Sequence, residues 1–373
     1  MVTSVVLAGG GTAGHVNPLL AVADELRRRE PSVTVVALGT AEGLESTLVP
    51  QRGYPLAVVP RVPLPRRPSG DLVALPRRLR AAVDAAGQAM DEIGAEVVVG
   101  FGGYVATPAY LAARRRGTPV VVHEQNARPG LANRLGARWA ARVGVTFAST
   151  PLRDAVVTGL PLRREVADLV ECRLTDAAAA RREAAARLGL DPALPVVLVT
   201  GGSLGAASVN GAVAGAAREL LATGAQVLHL TGTGKADAVR TAVVGVAGVE
   251  RYHVLEYLGE MHQAYAVADL AVCRSGAGTV SELAALGIPA VYVPLPIGNG
   301  EQRLNATPLV DAGGGLLVAD DDLTPAWVAE HVPTLLTDTE RRTQMARAAS
   351  RTGVRDGAAR VADLVEQAAR GDA

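Results

Sequence analysis

Apolar positions in this chain gather into short unbroken runs. In the first half these are Val5-Val6-Leu7, Val33-Thr34-Val35-Val36, Val97-Val98-Val99, Val120-Val121-Val122 and Val143-Gly144-Val145. In the second half they are Val196-Val197-Leu198-Val199, Val227-Leu228-His229-Leu230, Leu270-Ala271-Val272 and Val291-Tyr292-Val293. Stretches rich in Ala, Leu and Arg separate them. Continuous β-branched runs between helices predict parallel sheets covered on both faces. The halves also echo each other: residues 5–14 read VVLAGGGTAG and residues 196–206 read VVLVTGGSLGA, each a buried strand, a glycine turn and a helix start. An α/β protein of two Rossmann-like domains is the economical expectation. The join is placed near Gly159-Leu160-Pro161, giving an N-terminal domain over 1–160 and a C-terminal one over 161–345. A helix is expected from Asp176 to Leu188, and an amphipathic last helix over about 341–369. Residues 346–373 are set apart as a terminal helix able to pack back on the N-terminal domain.

Composition narrows the function. Lys+Arg and Asp+Glu both number 37, and a zero net charge argues against a general nucleic-acid binder. Two cysteines, Cys172 and Cys273, make neither a disulfide framework nor a Cys-rich zinc site. The opening MVTSVVLAGGG lacks a basic leader, and no apolar stretch approaches a membrane span, so a cytoplasmic protein is expected, with surface attachment to a membrane left open.

The candidate chemistry sits at strand ends. Gly9-Gly10-Gly11-Thr12-Ala13-Gly14-His15 carries G-x-G-x-x-G directly after a strand, where glycines let backbone amides approach a phosphate at a helix mouth. A dinucleotide site wants an acid at the end of the second strand, and Ala37-Leu38-Gly39-Thr40 has none. A plain tight turn is the other reading. Gly201-Gly202-Ser203-Leu204-Gly205 matches both a phosphate loop and the nucleophile elbow of α/β-hydrolases, for which Asp269 and His331 are formally available partners. Cys273-Arg274-Ser275-Gly276-Ala277-Gly278-Thr279-Val280-Ser281-Glu282 forms a third mouth, where Glu282 could favour the helix dipole or bind a ribose diol. Phe101-Gly102-Gly103-Tyr104, His123-Glu124-Gln125-Asn126 and 299–305 (NGEQRLN) complete the set. Ligands bind outside the carboxyl ends of strands in open α/β sheets, so these clusters are expected to face one inter-domain cleft. Asp320-Asp321-Asp322 reads as a solvated turn before a helix, and no metal site is indicated. Residues 61–80 hold six Arg against Asp71, interleaved with Val and Leu. That pattern suits an anionic membrane surface or a solvated, Arg-biased loop.

Together GGGTAGH, FGGYVATP, HEQN, GGSLGA, CRSGAGTVSE and GEQRLNA, in this order from residue 3 to about 350, resemble the MurG-type enzymes. These are UDP-N-acetylglucosamine:lipid I N-acetylglucosaminyltransferases of peptidoglycan synthesis. The resemblance implies the GT-B architecture and an inverting transfer to the 4-hydroxyl of lipid I's N-acetylmuramoyl group, giving lipid II. It implies UDP-N-acetylglucosamine as co-substrate, no cofactor, and peripheral placement on the anionic cytoplasmic face of the cell membrane. Ser203 would contact the pyrophosphate; Ala277, Gly278, Thr279, Val280, Ser281 and Glu282 would cradle phosphate and ribose. Leu258 would read uracil, Arg163 would serve the donor site and Gln302 would reach the sugar hydroxyls. Thr12, Ala13, Gly14 and Asn126 would close over the donor, while His15, Tyr104, His123 and Glu124 would line the acceptor side. Leu204 and Leu160 depart from the family's usual GGSQGA and GNP.

His15 is the expected general base, with Glu124 as substitute. A neutral imidazole is abundant near neutral pH, and the adjacent helix N-terminus is expected to lower its pKa. The alternative is that His15 caps the helix or binds the donor phosphate. Rival functions are a UDP-N-acetylglucosamine 2-epimerase-like isomerase, a related transferase with another acceptor, and a non-catalytic nucleotide-sugar sensor.

Overall fold

The computed structural model describes residues 2–62 and 71–371, with side chains from residue 75 onward in the second stretch. Arg66 and Arg67 of the basic segment lie outside the described residues. The chain divides into two compact units, Met1–Arg163 with Asp356–Ala373, and Arg164–Arg355.

The first unit runs β1 (Ser4–Gly9), α1 (Ala13–Arg29), β2 (Thr34–Gly39), α2 (Glu45–Gln51), β3 (Leu56–Val58) and α3 (Asp71–Ile93). It continues through β4 (Val97–Gly102), α4 (Ala106–Arg116), β5 (Val120–Glu124), α5 (Leu131–Gly136), β6 (Arg142–Val145) and β7 (Ala155–Val157). The second unit opens with α6 (Arg164–Leu188), β8 (Val196–Thr200), α7 (Ala207–Gly215), α8 (Ala217–Ala222), β9 (Gln226–Leu230) and α9 (Ala236–Val243). Then come β10 (Tyr252–Leu255), α10 (Met261–Val267), β11 (Leu270–Cys273), α11 (Ala277–Leu286), β12 (Ala290–Tyr292), α12 (Glu301–Asp311), β13 (Gly315–Leu317), α13 (Pro325–Thr337) and α14 (Thr339–Thr352). The last helix, α15 (Gly357–Arg370), returns to the first unit.

Among the described residues, the first sheet has the order β3-β2-β1-β4-β5-β6-β7 and the second β10-β9-β8-β11-β12-β13. All the pairings are parallel; Val5 lies between Val35 and Val97, and Val197 between Val227 and Leu270. The apolar runs follow from this. In β1, Val5 and Leu7 pack on one face with α1 and α15, while Val6 and Ala8 pack on the other with α3 and α4. A strand buried on both faces has no polar position to spare. In each sheet the strand order reverses beside the first strand, opening a crevice at the carboxyl ends of β1 and β4, and of β8 and β11.

The helix expected from Asp176 to Leu188 is present, but a helical segment from Arg164 that was not expected precedes it, the two meeting at Asp176, whose φ of −150° is non-helical. The Asp176 carboxylate accepts the Ala179 N–H at 2.8 Å, so it caps the second segment. The single terminal helix is in fact α14 and α15. The chain turns at Gly353 because it passes against α11: a Cβ there would lie 2.4 Å from the Ala284 carbonyl carbon. The α15 side chains Val361, Leu364 and Val365 complete the first unit's core, and Arg29 of α1 holds Asp363 at 2.6 Å and Glu366 at 3.2 Å. No described helix is long and apolar enough to cross a membrane.

Candidate functional site

In the first unit the loop between β1 and α1 is drawn against the end of β4. Gly103 has φ +80°, and a Cβ there would lie 2.5 Å from the Gly10 carbonyl oxygen, so only glycine lets the two loops touch. Thr12 is the helix N-cap, but its hydroxyl lies 3.1 Å from His15 Nδ1 instead of capping an amide. His15 Nδ1 also lies 3.1 Å from the Gly10 carbonyl oxygen. A carbonyl only accepts, so Nδ1 carries the proton and Nε2 holds the free lone pair. Nε2 points toward Gly102, where a Cβ would be 3.1 Å away. Burial lowers the His15 pKa, partly opposed by the Gly10 carbonyl and by the charge of Glu45. The direction agrees with the sequence expectation; the principal cause is desolvation and not the helix terminus. The ring binds the loop's carbonyl and caps no helix amide. Ala13 and Gly14 form the first turn of α1, with Gly14 exposed.

Glu124 ends β5 and is buried. Its Oε1 accepts the Asn126 N–H at 2.9 Å, and its Oε2 accepts the Gly130 N–H at 3.0 Å and Asn133 Nδ2–H at 2.9 Å. Burial raises its pKa, although these donors work against the shift. Glu124 thus clamps the loop after β5. Asn133 itself accepts from Tyr110 Oη at 2.7 Å, and its Nδ2 also flanks the Cβ position of Gly102 beside His15. The resemblance places His123 on the acceptor side, yet the structure buries it completely. Its Nε2 bonds the Gly159 carbonyl at 3.0 Å, and Nδ1 takes Gln125 Nε2–H at 3.2 Å. Burial lowers its pKa to about 4. With both nitrogens committed inward, His123 supports the strand end and offers no ring to a ligand. Tyr104 is exposed, with the Arg61 guanidinium 5.2 Å from its ring centre. Asn126 stands half-buried, its carbonyl accepting the Thr150 hydroxyl at 3.1 Å, and Arg163 is half-buried at the last position before α6.

In the second unit, Gly205 has φ +67° and a Cβ there would meet the Thr231 carbonyl oxygen at 2.0 Å, so the loop after β8 rests on the end of β9. Ser203 and Leu204 stand exposed at its tip, and Lys235 Nζ donates to the Leu204 carbonyl at 2.7 Å. The hydrolase reading fails on topology. Asp269 accepts the Val196 N–H at 2.8 Å and Arg181 at 2.9 Å at the amino end of β8, opposite Ser203. His331 stacks on Trp327 at 4.3 Å.

Helix α11 opens on Gly276 with Ala277, Gly278 and Thr279 in its first turn. Glu282 is the sixth residue, beyond the first turn, and is buried. Tyr265 Oη donates to its Oε2 at 2.8 Å. The helix-dipole reading therefore loses its basis, since that effect fades after the first turn. Val280 is buried and Ser281 half-buried on the same helix. Leu258 is half-buried in the segment after β10. Gln302, in the first turn of α12, accepts the Leu295 N–H at 3.0 Å.

Sequence reasoning missed Glu45, Asn133, Tyr265 and the Arg274–Asp320 pair. Arg274 Nη1 bonds Asp320, and its Nη2 bonds Ser208 Oγ at 3.0 Å, so Asp320 is not part of a purely solvated turn. Glu45 was findable: the acid sought at the end of β2 stands six residues further on, at the start of α2.

Known proteins resemble this chain along nearly its whole length. Residues 5–145 match the glycosyltransferase family 28 N-terminal domain, and residues 196–361 its C-terminal domain. A protein of Clavibacter michiganensis subsp. michiganensis called UDP-N-acetylglucosamine–N-acetylmuramyl-(pentapeptide) pyrophosphoryl-undecaprenol N-acetylglucosamine transferase is 56% identical, over 98% of this chain and 96% of that one. The crystal structure of Acinetobacter baumannii MurG is 31% identical with a TM-score of 0.77, covering 98% of this chain and 99% of its own. A UDP-GlcNAc 2-epimerase of Neisseria meningitidis has a TM-score of 0.70 at 15% identity, covering 98% and 100%, a likeness of fold alone. With both halves matched and this identity sustained along nearly the whole chain, the protein belongs to glycosyltransferase family 28, in its MurG branch.

Proposed function

We propose that this protein transfers N-acetylglucosamine from UDP-N-acetylglucosamine to the 4-hydroxyl of the N-acetylmuramoyl group of lipid I, giving lipid II with inversion at the anomeric carbon. The observation that carries the reading is 52–56% identity to transferases of that name along 94–98% of the chain. The 2-epimerase reading has only fold likeness in its favour.

The second unit binds the donor. Ser203 and the first turn of α11 offer hydroxyl and amide donors to the pyrophosphate, where charge grows as UDP leaves. Glu282 receives the ribose hydroxyls, oriented by Tyr265. Leu258 reads uracil, and Gln302 and Arg163 serve the donor sugar and phosphate. The first unit holds the acceptor beside His15 and Tyr104, while its Thr12, Ala13, Gly14 and Asn126 close over the donor. The acceptor oxygen bonds to the anomeric carbon as the bond to phosphate breaks and its electron pair leaves with UDP. The hydroxyl proton passes to His15 Nε2. His15 is favoured over Glu124 because its Nε2 has no partner among the described residues, while the Glu124 oxygens already accept at least three donors. The enzyme works peripherally, with α3 on an anionic membrane surface at the cytoplasmic face.

The decisive assay uses labelled UDP-N-acetylglucosamine and a short-chain lipid I analogue. Release of UDP is expected only with acceptor present, together with a disaccharide product. Release without acceptor, or conversion of the donor to its 2-epimer, sinks the transferase reading.

A further inference from the structure

Glu45 is the first residue of α2 and is completely buried, yet its carboxylate serves the glycine loop after β1. Oε2 accepts the Gly11 N–H at 2.8 Å, and Oε1 accepts both the Thr40 N–H and the Thr40 hydroxyl at 2.8 Å. Three glycines leave room for it. A Cβ on Gly10 would lie 2.4 Å from Oε1, one on Gly43 2.1 Å from Oε2, and one on Gly39 2.3 Å from Cγ. The loop's own amide is thus bound by a resident anion, and the carbonyl one residue earlier fixes His15 Nδ1 at 3.1 Å.

We infer that Glu45 is a positioning residue for His15: its carboxylate locks the loop that sets the imidazole's tautomer, and its charge steadies the imidazolium formed when the acceptor proton arrives. This rests on the reading of His15 as the base. As the acceptor oxygen bonds to the anomeric carbon, its proton moves to Nε2, and Nδ1–H stays on the Gly10 carbonyl. The new positive charge then sits near a buried carboxylate instead of standing alone in a desolvated site, where an unpaired charge is costly. The titratable groups toward the ring are Glu45 from α2 and, behind the neutral Asn133 of α5, Glu124 of β5; β4 brings Gly102. Burial weakens His15 as a base and Glu45 offsets part of that loss. Burial opposes the ionisation of Glu45 itself, but the Thr40 and Gly11 donors outweigh it and hold its pKa below the usual range, so it stays charged while His15 titrates.

The test uses the full chain with 15N-labelled histidine, as wild type, Glu45→Gln, Glu45→Asp and His15→Ala. In wild type, His15 is expected neutral near pH 7 with the proton on Nδ1. Glu45→Gln should lower the pH midpoint of His15 protonation and move the acidic limb of kcat/KM down with it. Its kcat should fall roughly 10-fold or more, since a weaker base lowers proton-transfer catalysis, with KM for UDP-N-acetylglucosamine unchanged. Glu45→Asp, which keeps the charge, should recover most of the midpoint. Loss of the limb in His15→Ala with no movement in Glu45→Gln overturns the role of Glu45 alone. Retention of the limb in His15→Ala overturns the base assignment beneath it. Should the Glu45 variants not fold, a wild-type His15 carrying its proton on Nε2 is enough to reject the inference.

Discussion

Among single residues, Glu282 shows how position along a helix separates two explanations. A carboxylate in the first turn of α11 would serve the dipole; the sixth residue, buried and bonded to Tyr265, serves a ligand better. Glu282→Ala is expected to raise the KM for UDP-N-acetylglucosamine roughly 10–150-fold, the equivalent of about 1.5–3 kcal/mol for hydrogen bonds to a charged group. Tyr265→Phe keeps the carboxylate and loses one bond to it, so a smaller rise is expected. Steady-state kinetics with the donor varied measures both, and an unchanged KM in a folded Glu282→Ala removes the ribose assignment. The residues themselves were legible in the sequence wherever a glycine loop met a strand end. The supports were not. Asn133 and Tyr265 act from other elements, and nothing in the local sequence says that their side chains arrive at those loops.

The elements were legible to the extent that both their faces are buried. The central strands β1, β2, β4, β5, β6, β8, β9, β11 and β12 were each visible as a largely apolar run. The edge strands β3, β7, β10 and β13 were not, because an edge has a partner on one side only and is partly exposed: Val58 in β3 and Val156 in β7 are exposed large side chains. The helical segment from Arg164 to the break at Asp176 was not read, and the turn at Gly353 was hidden because its cause is contact with α11. At this scale α3 carries a prediction. Arg77, Arg78 and Arg80 are exposed near its start, and Leu79 between them packs against the core. Replacing the three by Gln should weaken binding to vesicles rich in anionic lipid by about 1 kcal/mol per charge, and leave turnover of a soluble acceptor analogue nearly intact. Vesicle co-sedimentation measures this, and unchanged binding would make the helix face merely solvated.

The molecule as a whole carries one fully buried, neutral histidine in each unit. His123 bonds the Gly159 carbonyl, and His229 lies between Tyr252 Oη at 2.8 Å and Asn210 Oδ1 at 3.0 Å. Burial lowers both pKa values from 6.5 to about 4. The unfolded chain therefore binds protons more readily through that window. The stability these residues contribute is fully present above about pH 6.5 and is lost as pH falls toward about 4, on the order of 3 kcal/mol for each unit. Thermal unfolding followed between pH 7 and pH 4 should show this decline, and His229→Gln should flatten the part that belongs to the second unit. An equal slope in that variant would assign the acid sensitivity to other groups.

The return of α15 also orders events in time. The second unit is one uninterrupted stretch, Arg164–Arg355, whereas the first needs Asp356–Ala373 to finish its core. Where the chain comes back, a Cβ on Gly357 would lie 2.5 Å from the Leu160 carbonyl oxygen, so the strands of chain leaving and re-entering the first unit run side by side. A ribosome makes Val5 and Leu7 first and the Val361, Leu364 and Val365 that cover them last. The half of the protein that begins the chain is thus the half that must wait for its end, and the inserted half can close its own core while the first sheet still has a bare flank.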